Sequence, residues 1–122
     1  MIFYHVSKDP HISETVVYPR IPTYRMEGED QSVPRICVSP SILGCLNAVD
    51  QLEVNDVVYI YTCESNVFCQ PSCQQVADQH LTGEMWITEA VKIEYYQQII
   101  IKEKIMREVD GCLIPYYIYD VK

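Results

Sequence analysis

The residues that could do chemistry in this chain are spread along its length and do not form one compact motif. A histidine, hydroxyl groups, arginines, an aromatic ring and a carboxylate can donate or accept protons and hydrogen bonds and can hold charge. The candidate site residues are His5, Ser7, Arg20, Tyr24, Arg35, Ser39, Ser41 and Glu84. Any one of them alone is more typical of a surface or capping position than of a site. Evidence for a site therefore depends on the order of these residues along the chain and on the strands, loops and helix in which they lie.

Three arginines lie close together in the sequence and form a local exception to the acidic balance of the chain. Arg20, Arg25 and Arg35 fall within sixteen positions of one another in a chain whose net charge is −8. Guanidinium groups bind carboxylate and phosphate groups through paired hydrogen bonds, so a few of them can hold an anion without a broad basic patch. The acidic balance disfavours nonspecific binding to nucleic acid. An anionic ligand could therefore be held at this part of the chain by a few guanidinium groups.

The six cysteines do not form a recognisable metal or redox motif. Cys63, Cys69 and Cys73, with His80 nearby, lack the paired C-x-x-C spacing that is typical of zinc sites, and no metal site is predicted. Cys37 and Cys45 stand at predicted core positions, where a free thiol packs as a small hydrophobic group. No motif selects one cysteine as a nucleophile, so a Cys–His pair stays an open alternative. With four glycines, the chain has neither a P-loop nor a dinucleotide fingerprint.

Length and composition predict one globular domain over residues 1–122. Hydrophobic residues make up 48% of the sequence, which is enough for a packed core at this length. No apolar run is long enough to cross a bilayer, so no membrane partner is expected. The first residues lack the pattern of a secretory signal, and the expected location is the cytoplasm.

The first half of the chain predicts a strand, an irregular stretch, and then a strand followed by a helix. Ile2–Val6 has strand composition, whereas prolines interrupt residues 7–33 and predict a long loop. Arg35–Ser39 reads as a buried strand. Apolar residues then recur at helical spacing, which predicts a helix at about 41–50, with Ser39 as its N-cap and Pro40 in its first turn.

The second half predicts further strands. The segment "DVVYIYTC" is a core strand, and "NVFCQPSCQQVADQHLTG" reads as a loop or a short irregular element. From Glu84 onward, apolar residues alternate with polar ones, which indicates one long strand or two. Asp110-Gly111 is a turn signal, and "CLIPYYIYDV" closes the chain as a strand. The predicted class is α+β, mostly β, with about six strands in a split, twisted sheet and one clear helix.

The order and character of four segments resemble the ADP-ribosyltransferase fold, in particular its small rifampin-modifying branch. The segments are "FYHVS", "RICVSPSILGCLNAV", "VVYIYTC" and "LTGEMWITEAVKI". The resemblance covers most of the chain and implies NAD as cofactor, with ADP-ribosyl transfer or NAD glycohydrolysis as activity. Other short segments resemble small bacteriophage proteins, which would place the chain in a host cytoplasm.

The resemblance also implies roles for individual residues. His5 corresponds to a histidine on the first strand that hydrogen-bonds the adenosine ribose. Glu84 corresponds to the acidic residue that stabilises the cationic sugar in the transition state, and Glu89 competes for that role. The stacking tyrosine is Tyr24 or Tyr18, and no motif selects between them. Arg20 or Arg35 would pair with the diphosphate, and the hydroxyls of Ser7, Ser39 and Ser41 would complete the site.

One departure from the family leaves a second function open. Val6 follows His5 where the family usually has glycine, and a β-branched side chain there narrows the floor of a pocket. The alternative is a protein without catalytic activity that binds a nucleotide or a host protein and counteracts bacterial defence. For the host-protein form, the first surface to consider is Tyr116, Tyr117 and Tyr119, although an ordinary half-buried strand explains these tyrosines better.

Overall fold

The computed structural model describes residues 1–8, 10, 15–21, 32–49, 51–72, 75 and 79–122, which contain eight strands and two helices. The strands are β1 (Ile2–Ser7), β2 (Thr15–Val17), β3 (Ile36–Val38), β4 (Val57–Glu64), β5 (Phe68–Cys69), β6 (Met85–Ile87), β7 (Val91–Val109) and β8 (Cys112–Val121). The helices are α1 (Ile42–Ala48) and α2 (Gln79–Thr82). This mostly β, α+β fold confirms the predicted class.

The larger sheet is built around β7. Its strand order is β1-β4-β7-β2, all pairs are antiparallel, and β8 also pairs with β7. With 19 residues, β7 is long enough for β2 and β8 to share one of its edges. Asp110 and Gly111 both have positive φ angles, 51° and 79°, and they form the tight turn between β7 and β8 that the sequence predicts.

The smaller sheet has the order β3-β6-β5 and lies beside β1. Tyr4 and Ser39 connect the two sheets through a pair of backbone hydrogen bonds of 2.8 and 3.1 Å. Two hydrophobic clusters cover the two faces of the larger sheet. One cluster includes Phe3 of β1 together with buried residues of the small sheet, and the other lies under α1 and contains Leu46.

The long strand β7 contributes to both clusters because a β-bulge changes the direction of its side chains. Val91 and Ile93 pack in the cluster that contains the small sheet, whereas Ile99 and Ile101 pack under α1. The pairing register with β4 shifts between these two pairs, which leaves Tyr96 as the additional residue. A single strand therefore supports both cores.

The start of α1 is fixed by a serine cap and by a glycine contact. The Ser41 hydroxyl accepts a hydrogen bond of 3.0 Å from the Gly44 amide, so Ser41 is the N-cap and the prediction of Ser39 as the cap is wrong. The Ser39 hydroxyl instead donates to the Thr82 carbonyl oxygen at 3.0 Å. A β-carbon at Gly44 would collide with that same carbonyl oxygen, so the helix and the end of α2 pack together only because this residue lacks a side chain.

Two short strands are additional to the six that the sequence predicts. β2 falls within residues 7–33, which were expected to be irregular, and β5 falls within the expected loop before Glu84. With three and two residues, these strands are too short to produce a periodic pattern, and nearby prolines dominate the local signal. Their pairing with β7 and β6 is a tertiary effect.

Candidate ligand-binding cavity

A cavity of about 350 Å³ lies where the face of the larger sheet meets β2 and β3. Its lining residues are His5, Val17, Tyr18, Arg20, Arg35, Ile36, Cys37 and Ile93. Three of the predicted site residues, His5, Arg20 and Arg35, thus meet although fifteen positions separate each from the next in sequence. The lining combines an apolar floor with a few polar groups, which is the usual composition of a small-molecule site.

His5 faces the cavity because strand alternation places it on the same side of β1 as Phe3. It pairs with the buried Tyr61 of β4, and its Nδ1 lies 3.4 Å from the Cys37 carbonyl oxygen. Burial lowers the pKa of the imidazole below its ordinary value of 6.5, and the positive charge of Arg20 lowers it further, while the hydrogen bond to Cys37 acts in the opposite direction. His5 is therefore neutral at pH 7.

Arg20 and Arg35 face each other across an isolated antiparallel bridge. The Arg20 amide donates to the Arg35 carbonyl oxygen at 3.1 Å, and the Arg35 amide donates to the Arg20 carbonyl oxygen at 2.9 Å. Directly opposed residues point their side chains to the same side, and like charges in that position are destabilising. In a chain with a net charge of −8, the fold thus concentrates positive charge beside this cavity.

Arg35 is buried, with 1% of its surface exposed, and its charge is stabilised by close contacts. Its guanidinium carbon lies 4.1 Å from the centre of the Trp86 ring, and one guanidinium nitrogen donates to the Val33 carbonyl oxygen at 3.1 Å. The Trp86 indole nitrogen in turn donates to a Glu84 carboxylate oxygen at 2.6 Å. Trp86 therefore connects the arginine at the cavity to the predicted acidic residue.

Glu84 itself is not among the residues that line this cavity. Its amide is held by the Thr82 hydroxyl at 3.1 Å, and its carbonyl oxygen accepts from the Gln79 side chain at 3.2 Å. The competing acid, Glu89, accepts a hydrogen bond of 2.7 Å from the Ser65 hydroxyl at the far end of β6. Neither carboxylate lines the cavity. Glu84 is hydrogen-bonded to Trp86, and the ring of Trp86 contacts the cavity residue Arg35.

The predicted serines lie outside the lining. Ser39 is buried and Ser41 caps α1, so both hydroxyls act within the turn between β3 and the helix. Ser7 lies two residues beyond His5 on the same face of β1 and is paired with Tyr59. Of the two candidate tyrosines, Tyr18 lines the cavity and is 68% exposed, whereas Tyr24 lies outside the described residues.

Sequence reasoning missed Cys37, which lines the cavity, and Trp86, which lies behind it in contact with Arg35. Trp86 is the chain's single tryptophan and is 1% exposed, yet its position in "GEMWI" suggests only a core residue. Cys37 was expected to be a core thiol, but it is half-buried and lines the cavity. The alternation "RIC" at the start of β3 contained a usable signal, because Arg35, directly before the strand, and Cys37 had to share one face and Ile36 the other.

The remaining described cysteines fall into two groups. Burial raises the pKa of Cys45 to about 12 and that of Cys63 to about 11, so both thiols are protonated at neutral pH. Cys69 and Cys112 are exposed. Among the described residues, no group of three or more histidine, cysteine or acidic side chains is arranged to hold a metal ion. Cys73 lies outside those residues.

No family model, curated protein or solved structure matches this chain. In the part of the sequence that the structure describes, no helix has both the length and the apolar character needed to span a membrane.

Proposed function

We propose that this protein binds an anionic nucleotide ligand of the NAD or ADP-ribose type in the cavity between His5, Arg20 and Arg35. The observation that carries the proposal is the opposition of the two arginines across one backbone bridge, beside a cavity, in an acidic chain. A bound diphosphate would neutralise these like charges. Charge-assisted hydrogen bonds to a guanidinium are about twice as strong as neutral ones.

The other lining groups suit the sugar part of such a ligand. A neutral imidazole donates one hydrogen bond and accepts another, which matches a ribose hydroxyl, and His5 is kept neutral by burial. Tyr18 offers an exposed ring at the same cavity for stacking. A cavity of about 350 Å³ is near the lower limit of ligand pockets, roughly 300–1,000 Å³, so it would hold one part of a dinucleotide.

The proposal is tested by calorimetric titration of the protein with NAD, ADP-ribose, AMP and inorganic pyrophosphate. We expect ADP-ribose and NAD to bind and Arg20→Gln to weaken binding by about tenfold to a hundredfold, the range for one lost charge-assisted hydrogen bond. Lys122→Gln is the matched control, because it removes the same charge from an exposed position at the chain end. Absence of binding by all four ligands, or equal weakening by both variants, would contradict the proposal.

A second candidate function is transfer of the ADP-ribosyl group or hydrolysis of NAD, favoured by the contact of Glu84 with Trp86 and of Trp86 with Arg35. In this reaction the bond between nicotinamide and ribose breaks, nicotinamide leaves, and an acceptor or water bonds to the sugar. Negative charge near the sugar stabilises the cationic transition state. For this function, Glu84→Gln must retain NAD binding while nicotinamide release falls by about a hundredfold or more. Binding without any nicotinamide release by the wild type leaves only the binding function.

A further inference from the structure

The end of the β7–β8 hairpin extends beyond the rest of the larger sheet. Two backbone hydrogen bonds join β7 to the chain just before β4. The Asn55 amide donates to the Ile101 carbonyl oxygen, and the Ile101 amide donates to the Asp56 carbonyl oxygen. From Lys102 to Val109, β7 pairs only with β8 within the described residues. We call residues 102–118 the ribbon. A two-stranded ribbon is marginally stable in water by itself, whereas three or more strands are stable.

The ribbon exposes apolar side chains and carries no net charge. Ile105, Met106 and Leu113 are 47%, 52% and 71% exposed. Three basic residues, Lys102, Lys104 and Arg107, balance three acidic ones, Glu103, Glu108 and Asp110, although the whole chain has a net charge of −8. Two copies of this acidic chain would thus repel each other least where their ribbons meet.

The outer edge of β8 is interrupted by a proline within the ribbon. The Lys122 amide donates to the Gln98 carbonyl oxygen of β7. Because backbone groups alternate in direction along an antiparallel strand, those of the even-numbered residues of β8 also point to β7. The residues between them point their backbone groups outward, and Pro115 is one of these. Because proline has no N–H group, it interrupts any ladder that a new strand could form there.

The outer edge of β7 has no such block. The same alternation directs the backbone groups of Tyr116 to Ile105, its partner on β7. The N–H and C=O groups of Lys104 and Met106 therefore point to the side of β7 away from β8. That row of backbone groups is an edge that a further strand can pair with.

The charges along this edge complement themselves when two copies run antiparallel about Ile105. In that register Ile105 faces Ile105 of the second copy, Glu103 faces Arg107, and Lys102 faces Glu108. Because a two-fold axis repeats each contact, the interface contains four pairs of opposite charge. A shift by one residue in one direction would place Glu103 opposite Glu108, and a shift in the other direction would place Lys102 opposite Arg107. The register centred on Ile105 avoids both repulsions.

We propose that the protein forms a symmetric homodimer in which the β7 edges of two ribbons pair about Ile105 and create a four-stranded antiparallel sheet. The occupant of this edge is a second copy of the chain. The neutral charge, the self-complementary register and the proline on the other edge all favour this arrangement.

Charge reversal tests the register directly. Sedimentation velocity over a range of protein concentrations is expected to show a monomer–dimer equilibrium for the wild type. Glu103→Arg puts two arginines opposite each other twice per dimer and should weaken dimerisation by about tenfold or more. The double variant Glu103→Arg/Arg107→Glu restores opposite charges across the axis and should recover most of the lost affinity. Glu64→Arg, the same charge change at an exposed position on β4, is the control and should leave the equilibrium unchanged.

Hydrogen exchange provides a readout that does not depend on variants. The amides of Lys104 and Met106 should become protected as the wild-type concentration rises through the dimerisation range, while the amides of exposed residues outside the ribbon do not change. A wild type that stays monomeric, a double variant as weak as Glu103→Arg, or a dimer without protection at these two amides would overturn the proposal.

Discussion

Arg20 and Arg35 are joined by two backbone hydrogen bonds, of 3.1 and 2.9 Å, that hold their like-charged side chains on the same side of an antiparallel bridge. Like charges directly opposite each other in an antiparallel pair repel, and an anion bound between them would reduce that repulsion. The opposition of two positive charges beside a cavity, in a chain with a net charge of −8, is the feature on which the proposed binding site rests.

Replacement of Arg20 should therefore separate stability from binding. We expect Arg20→Gln to raise the free energy of unfolding of the ligand-free protein by a few tenths to about 1 kcal/mol, since it removes the repulsion from Arg35. Added salt should reduce the difference, because mobile ions screen exposed charges. Urea unfolding at low and moderate ionic strength measures both effects. A variant that is less stable than the wild type at low salt would show that Arg20 has a structural partner instead.

Protonation of His5 should weaken the fold as the pH decreases. The native pKa lies below 6.5 and the unfolded pKa is close to 6.5, so the unfolded chain binds the proton first. The contribution of His5 to stability is thus complete above about pH 6.5 and is lost as the pH falls from there through the native pKa. The free energy of unfolding, measured in urea at several pH values, should fall more steeply for the wild type than for His5→Gln. Parallel curves would mean that burial does not perturb this imidazole.

Gly44 should not tolerate a side chain despite its position within a helix. Alanine normally stabilises a helix interior by about 1 kcal/mol over glycine. Here a β-carbon would collide with the Thr82 carbonyl oxygen and the Ser39 hydroxyl oxygen. We expect Gly44→Ala to lower the free energy of unfolding by roughly 1–3 kcal/mol, a typical cost of overpacking. Asn47→Ala in the same helix is the control, and it should be neutral or stabilising. Equal effects of both variants would argue against close packing of α1 on the end of α2.

Ligand binding should protect Cys37 from a thiol reagent. Cys37 is half-buried and lines the cavity, whereas Cys69 and Cys112 are exposed elsewhere. Mass spectrometry after brief alkylation should show fast modification of the two exposed thiols and slow modification of Cys45 and Cys63, whose pKa values are raised to about 12 and 11. ADP-ribose should slow modification at Cys37 alone. Uniform protection, or none, would place the ligand outside this cavity.

The sequence predicts those elements whose patterns are local and long. The helix after β3 follows from its apolar spacing, and the turn at Asp110 and Gly111 follows from the residue types that tolerate positive φ. The strands β2 and β5 are set by pairing partners and leave no local pattern. The alternation after Glu84 predicted a long strand but not which face each apolar residue takes, because bulges near Tyr96 and Lys102 redirect the side chains that follow. Ile105 is consequently 47% exposed.

The candidate site was predictable in part for a related reason. His5, Arg20 and Arg35 were singled out by chemistry, and the fold brings them to one cavity. Ser39 and Ser41 have equally suitable hydroxyl groups, yet their hydrogen bonds stabilise the turn before α1. A serine in the sequence can cap a helix or bind a ligand, and only its three-dimensional contacts show which of the two it does. Trp86, in contrast, was not singled out by its residue type. Its contact with Arg35 depends on the pairing of β3 with β6.

The most direct test of the proposed binding site is the nuclear magnetic resonance signal of the His5 imidazole during titration with ADP-ribose. The site predicts that the His5 ring resonances move in step with binding and that the bound phosphates raise the pKa of this imidazole. It also predicts that Arg20→Gln shifts the same titration to higher ligand concentration. If ADP-ribose binds while the His5 resonances stay unchanged, or if saturating ADP-ribose produces no binding at all, the cavity between His5, Arg20 and Arg35 is not a nucleotide site.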